Sequence, residues 1–149
     1  PFELKQINWY SNPKLGNKRY KEFTIKKKSG SLRTIHSPVR GLKAIQKTLS
    51  FILQCVFEPH IAAHGFVRNK SIVDNAKIHV GQTYVYNIDL KDFFGSISTK
   101  MVFELFQSNL FNYTENIAKT LTFLCTYKGF LPTGAPSSPV ISNFICLKM

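Results

Sequence analysis

Acidic side chains, cysteine pairs and long apolar runs are what this sequence has least of. Its three cysteines, Cys55, Cys125 and Cys146, include no Cys-x-x-Cys pair. An odd, scattered set excludes a disulfide framework and argues against a zinc knuckle. Each lies in an apolar stretch, so the expectation is three buried free thiols in a reducing, cytoplasmic environment. The greasiest run, Ser50 to Phe57, is interrupted by Gln54. It falls well short of the roughly 20 apolar residues of a membrane helix, so no membrane partner is expected. No signal-peptide pattern, repeat or low-complexity tract is present. Apolar residues make up 44% of the 149, which is too many for a disordered tail. The chain opens Pro1-Phe2-Glu3 without Met, and the expectation is a segment excised from a longer protein.

What the sequence does have is positive charge in one place. Eight Asp and Glu stand against 20 Lys and Arg, a net charge of +12. Residues 1–50 hold 12 basic and 2 acidic side chains, residues 51–100 hold 5 and 4, and residues 101–149 hold 3 and 2. A clustered basic field points to a polyanion, most simply nucleic acid; a solubilising surface is the plainer alternative.

Local patterns predict an α+β chain in which helices outnumber strands. Residues 20–36 read as a β-hairpin: Phe23 and Ile25 alternate with polar residues, Ser29-Gly30 turns, and Arg33 and Ile35 return. Pro38 ends it. Residues 41–57 carry a helical stripe of Leu42, Ile45, Leu49, Ile52, Leu53 and Val56. Ser71 caps a short helix over 71–80 with Ile72, Ala76 and Val80 inward. Residues 83–90, β-branched and aromatic, read as a strand. Ser98 or Thr99 caps a helix to about Leu110 with Val102, Leu105 and Phe106 inward. Thr114 caps another, with Ile117, Leu121 and Leu124 inward, ended by Lys128-Gly129. A Gly/Pro/Ser loop over 130–139 leads into a helix whose first turn suits Pro139.

Four groups of residues invite chemistry. Asp89 closes the predicted strand, and a carboxylate there is costly unless paired or metal-bound; oxygen ligands of this kind suit Mg²⁺. Asp92, three residues on, reads as a helix cap, whereas for Asp89 the catalytic and structural readings stay open. Lys27 and Arg33 fall on one face of the hairpin, placed either to clamp a triphosphate or to guard a strand edge. The loop Leu131-Pro132-Thr133-Gly134-Ala135-Pro136-Ser137-Ser138-Pro139 offers backbone N–H groups to an anion or makes an ordinary turn. His60 and His64 have helical metal-ligand spacing, but Pro59 and Gly65 spoil the helix, so they read as loop or packing histidines.

Taken in order, these pieces resemble the N-terminal half of a bacterial reverse transcriptase over nearly the whole chain. Phe23 to Pro38 is similar to the first fingers motif, and His64 to Ala76 to the second. Asn87-Ile88-Asp89-Leu90-Lys91-Asp92-Phe93-Phe94-Gly95-Ser96-Ile97 is similar to the first palm motif. Leu131 to Asn143 is similar to the next, ordinarily Leu-Pro-Gln-Gly-x-x-x-Ser-Pro. Asn75-Ala76-Lys77-Ile78-His79 matches the Asn-Ala-x-x-His element of the retron branch; group II intron and other bacterial reverse transcriptases are the nearest alternatives.

The resemblance implies a right-hand polymerase fold, with fingers over 1–84 and part of the palm over 85–149. It implies an RNA-directed DNA polymerase acting by two-metal nucleotidyl transfer on an RNA template, an RNA or DNA primer and dNTPs. Asp89 would ligate Mg²⁺ with the Leu90 carbonyl. Phe94 would be a steric gate against a ribose 2′-OH. Lys27 and Arg33 would hold the triphosphate, and Thr133 and Gly134 would line the nucleotide pocket. Retron membership would add a cognate structured noncoding RNA and a role in anti-phage defence. Thr133 stands where many members have Gln. The family's Tyr-x-Asp-Asp motif is absent from these 149 residues. With one of three catalytic carboxylates, the chain by itself is expected not to polymerise and to hold Mg²⁺ weakly; a non-catalytic nucleic-acid-binding module of the same fold is the competing reading.

Overall fold

The computed structural model describes residues 2–27, 30–56 and 58–147. It is helix-rich, with a two-stranded antiparallel sheet. Helix α1 (Leu4–Ser11) and a 3₁₀ segment (Pro13–Arg19), neither marked by the sequence patterns, lead into strand β1 (Tyr20–Lys26). Strand β2 (Leu32–Pro38) pairs with it from Lys26 opposite Leu32 to Tyr20 opposite Pro38. Pro38 is thus the last residue of the ladder, a position where its missing N–H costs nothing. Gly30 takes the positive φ of 85° that the connection requires; Ser29 of the predicted turn, and Lys28 before it, lie outside the described residues.

The remaining elements are helices: α2 (Arg40–Val56), α3 (Ile72–Lys77), α4 (Phe93–Ser96), α5 (Thr99–Gln107), α6 (Glu115–Cys125) and α7 (Ser138–Cys146). Helix α6 is the hub. It packs against α1, α2 and α5, while α7 packs against α2 and α5. The core between them is built from Leu42, Val102, Phe106, Ala118, Leu131, Ile141 and Phe144, all essentially inaccessible to solvent.

Two buried polar side chains tie this core to the hairpin. Gln46, wholly buried on α2, donates from Nε2 to the Tyr20 hydroxyl (2.8 Å) and to the Leu124 carbonyl (2.7 Å). Arg19 Nη1 donates to the carbonyls of Tyr10 (3.2 Å) and Phe123 (2.6 Å). Those carbonyls lie in the last turns of α1 and α6, where orphan acceptors and the negative helix end favour a cation.

Several expectations are corrected. Residues 83–90 form no strand: they are irregular and exposed, with Tyr86 90% and Ile88 86% accessible. β-Propensity is realised only against a partner, and no described strand lies beside this segment. On α2 the buried face runs through Leu42, Ile45, Gln46, Ser50 and Leu53, while Ile52 and Val56 face solvent; Phe57 lies outside the described residues. Helix α3 keeps its Ser71 cap as a full capping box with Asp74 but buries none of Ile72, Ala76 or Val80. On α6, Ile117 is half exposed and Ala118 and Thr122 take the inward positions. The helix ends at Cys125, and Lys128-Gly129 instead make the tight turn between Tyr127 and Phe130. By contrast, α5 begins at its Ser98 cap with the three expected residues inward, and α7 carries Pro139 in its first turn.

The thiols differ as well. Cys125 is buried, with its thiol pushed up to about 12 by burial, whereas Cys55 and Cys146 are exposed. A thiol-exchange assay on the native protein is therefore expected to release two equivalents promptly and the third only on unfolding. Three prompt equivalents would place Cys125 outside the core.

Candidate functional site

A cleft of about 700 Å³ lies where the hairpin, the 89–94 segment and the loop after α6 converge. Its position follows from one backbone contact. The His36 N–H donates to the Thr133 carbonyl at 2.8 Å, fastening β2 to the 131–137 loop. The loop is in turn held by Leu131 N–H to Ile97 O (2.9 Å) and by Ser138 Oγ to Pro132 O (2.7 Å).

From the hairpin, Lys27, Arg33 and His36 border the cleft. The register sets Ile25 opposite Arg33, and Lys27 N–H bonds to Ser31 O. Pairs two residues apart share a face of a strand, so Lys27 and Arg33 lie on one side, as the alternation predicts. From the other wall come Asp89, Leu90, Lys91, Asp92 and Phe94, with Thr133 and Phe130 between. Phe94 is half-buried, packing against Phe93 at 5.4 Å and Phe66 at 6.4 Å between ring centroids. Asp92 occupies the residue before α4 at φ 49°, a left-handed conformation that Asp tolerates, and makes no capping hydrogen bond. Its carboxylate lies instead over Gly95, where an added Cβ would meet Oδ2 at 2.4 Å.

Among the described residues, ion pairs join Lys100 to Glu104, Lys119 to Glu115 and Lys128 to Glu22, and none includes Lys27, Arg33, Asp89 or Asp92. Unpaired cations on one wall suit an anionic ligand; the oxygen donors of Asp89 and Leu90 on the other suit a hard cation such as Mg²⁺. Among the described residues no group of three His, Cys, Asp or Glu gathers at metal-binding spacing, so these donors fit the cation as a partial set. Behind the cleft, Tyr127 stacks on Tyr20 at 4.4 Å and donates to Glu22 at 2.9 Å. Bonds from Lys128 and then Tyr127 hold the Glu22 carboxyl below its usual range, and burial followed by the Glu22 bond lifts Tyr127 to about 12.

Of the seven residues singled out from the sequence, Lys27, Arg33, Asp89, Leu90, Phe94 and Thr133 meet at this cleft, and Gly134 does not line it. Gly134 has φ 109°, and a Cβ on it would come within 2.9 Å of Ile35 Cγ2 and 3.1 Å of the His36 carbonyl. Its place in the site is to let the loop touch β2. His60 and His64 lie in the irregular 58–70 segment and do not line the cleft. Sequence reasoning missed His36, whose buried ring stands edge-on to Tyr127 and Phe130. Its strand position between Arg33 and Pro38 was the available signal.

The sequence profile of the family described as Reverse transcriptase (RNA-dependent DNA polymerase) matches residues 25–149. The chain is 40% identical over 136 residues to the retron Ec86 reverse transcriptase of Escherichia coli, covering 88% of this chain and 41% of that protein. It is 38% identical over 151 residues to the retron Mx162 reverse transcriptase of Myxococcus xanthus, covering 87% of this chain and 30% of that protein. A third relative, the retron Mx65 reverse transcriptase of the same organism, is 33% identical over 150 residues, 89% of this chain and 35% of that protein. The chain therefore spans less than half the length of these curated relatives.

The Gly134 contact yields a stability test. Gly134→Ala combines a left-handed backbone with a clash against β2, and is expected to destabilise the chain by about 2 kcal/mol in urea titration. A change under about 0.5 kcal/mol would mean the loop does not need that approach.

Proposed function

The chain belongs to the reverse transcriptase family, and on that premise we propose that it forms the fingers (1–84) and part of the palm (85–149) of a retron-type RNA-directed DNA polymerase. The observation that carries this reading is the cleft in which the cations Lys27 and Arg33 stand across from Asp89 and Phe94. Lys27 and Arg33 bind the triphosphate of an incoming dNTP by charge-assisted hydrogen bonds, with Arg33 supplying a planar fork that Lys does not. Phe94, its ring wedged by Phe93 and Phe66, fills the space a ribose 2′-OH would need. Thr133 borders the base or template side where many relatives place Gln. Asp89, with the Leu90 carbonyl, contributes oxygen ligands to Mg²⁺. When bound, the metal supplies charge stabilisation at the phosphoryl oxygens.

The basic N-terminal third lies along the backbone of the RNA template and the primer. The Asn75-Ala76-Lys77-Ile78-His79 element and the names of the retron relatives support retron type. With it come a structured noncoding RNA as template and a part in phage defence. These 149 residues alone do not extend a primer, because they hold a single carboxylate of the catalytic set.

The test is Asp89→Asn in the polymerase that carries these residues. Primer extension is expected to fall by at least roughly a hundredfold, with affinity for the template RNA unchanged within about twofold. Retained synthesis would remove Asp89 from the reaction centre, and equal loss of RNA binding would make its role structural.

A further inference from the structure

Helix α1 divides its apolar side chains between two surroundings. Ile7 and Tyr10 pack against the core, while Trp9 is 48% and Phe2, just before the helix, 38% exposed. Single exposed apolar residues are ordinary, but two that wall one groove mark a binding surface. That groove, of about 330 Å³, lies between α1 and the first turns of α2, where Gly41 and Ile45 line it. It shares no lining residue with the nucleotide cleft.

The shape of the groove is fixed from below. A Cβ on Gly41 would overlap the Tyr10 hydroxyl, so the glycine is what lets the Tyr10 ring lie against α2. That ring meets Trp9 edge-on, with centroids 4.6 Å apart and planes at 87°, a favoured aromatic geometry that orients the indole. The polar groups of the groove are few: the Lys5 ammonium, the Gln6 amide and the Tyr10 hydroxyl. Among the described residues Lys5 joins no ion pair, and no hydrogen bond engages the Gln6 side chain or the Tyr10 hydroxyl. No acidic side chain lines the groove.

We propose that this groove seats one unpaired base of single-stranded RNA, stacked on Trp9, with Gln6 and the Tyr10 hydroxyl at the base edge and Lys5 at the adjoining phosphate. Aromatic platforms beside cations are how proteins hold single strands, since every base has a face to stack. An apolar side chain of a protein partner would use the walls but leave Lys5, and the +10 excess of residues 1–50 around it, without an opposite charge. The volume falls at the lower end of the roughly 300–1,000 Å³ of small-ligand sites, room for one nucleotide. The proposal rests on the nucleic-acid part of the reading above and is independent of the chemistry assigned to Asp89.

Trp9 is the chain's one tryptophan, so its fluorescence reports on the groove alone. The 149-residue chain is titrated with a short oligouridylate, and binding is followed in parallel by anisotropy of the labelled strand. Saturable quenching that tracks the anisotropy is expected. The same strand annealed to oligoadenylate, its bases held in the duplex, is expected to leave Trp9 unquenched. Trp9→Leu, which keeps an apolar side chain at a half-exposed position, is expected to weaken single-strand affinity about tenfold, and Trp9→Phe to recover part of the loss. Lys5→Gln is expected to weaken it about threefold and to lower the salt slope by about 0.7. Anisotropy without quenching, equal quenching by the duplex, or unchanged affinity in both Trp9→Leu and Lys5→Gln would overturn the proposal and leave the nucleic-acid reading standing. No binding of RNA at all would overturn both.

Discussion

The hydrogen bond from the His36 amide to the Thr133 carbonyl is the contact on which the arrangement of the cleft depends. A two-stranded hairpin is marginal in water by itself. This one exposes Phe23, Ile25 and Leu32 and buries little beyond Tyr20, His36 and Pro38. It holds a defined position because β2 is tied to the 131–137 loop and because Tyr20 is inserted into the core beneath Tyr127. Gly134 makes the approach sterically possible. Loosen that seam, and Lys27 and Arg33 no longer share a cleft with Asp89.

The seam is backed by buried polar side chains rather than by apolar packing alone. Gln46 joins α2 to β1 and α6 in two hydrogen bonds, and Arg19 joins the ends of α1 and α6. Such groups are costly when unmet and directional when met. They set the angle at which the basic N-terminal third meets the helical core. The +10 excess of residues 1–50 is therefore presented on a fixed surface, and part of it, Arg19, is turned inward.

Local chemistry was legible where it is self-contained. Ser98 and Ser71 cap helices because their hydroxyls meet N–H groups three residues on. Pro139 sits in a first turn because it needs no donor there. Reading failed where structure depends on a partner. Residues 83–90 have the composition of a strand, but a strand is a pairing, and no described strand pairs with them. The stripe of α2 drifted because Gln46 and Ser50, polar by type, are buried, while Ile52 and Val56 lie off the face that carries Ser50 and Leu53 inward. Helix α1 was invisible because its capping position, Glu3, makes no side-chain cap. In the site, motif order brought six of seven chosen residues to one cleft. Gly134 was credited with lining it because a glycine's role in spacing backbones cannot be read without knowing what lies opposite. His36 was overlooked for the same reason.

The central claim is that the hairpin is locked to the loop through His36, and site-resolved amide exchange tests it most directly. The His36 amide is predicted to exchange at least about a hundredfold more slowly than the amides of Tyr84, Val85 and Tyr86, which lie in the exposed, unpaired segment. Exchange of His36 as fast as theirs would mean that the hairpin is not docked on the loop, and that the cleft does not exist as a built site.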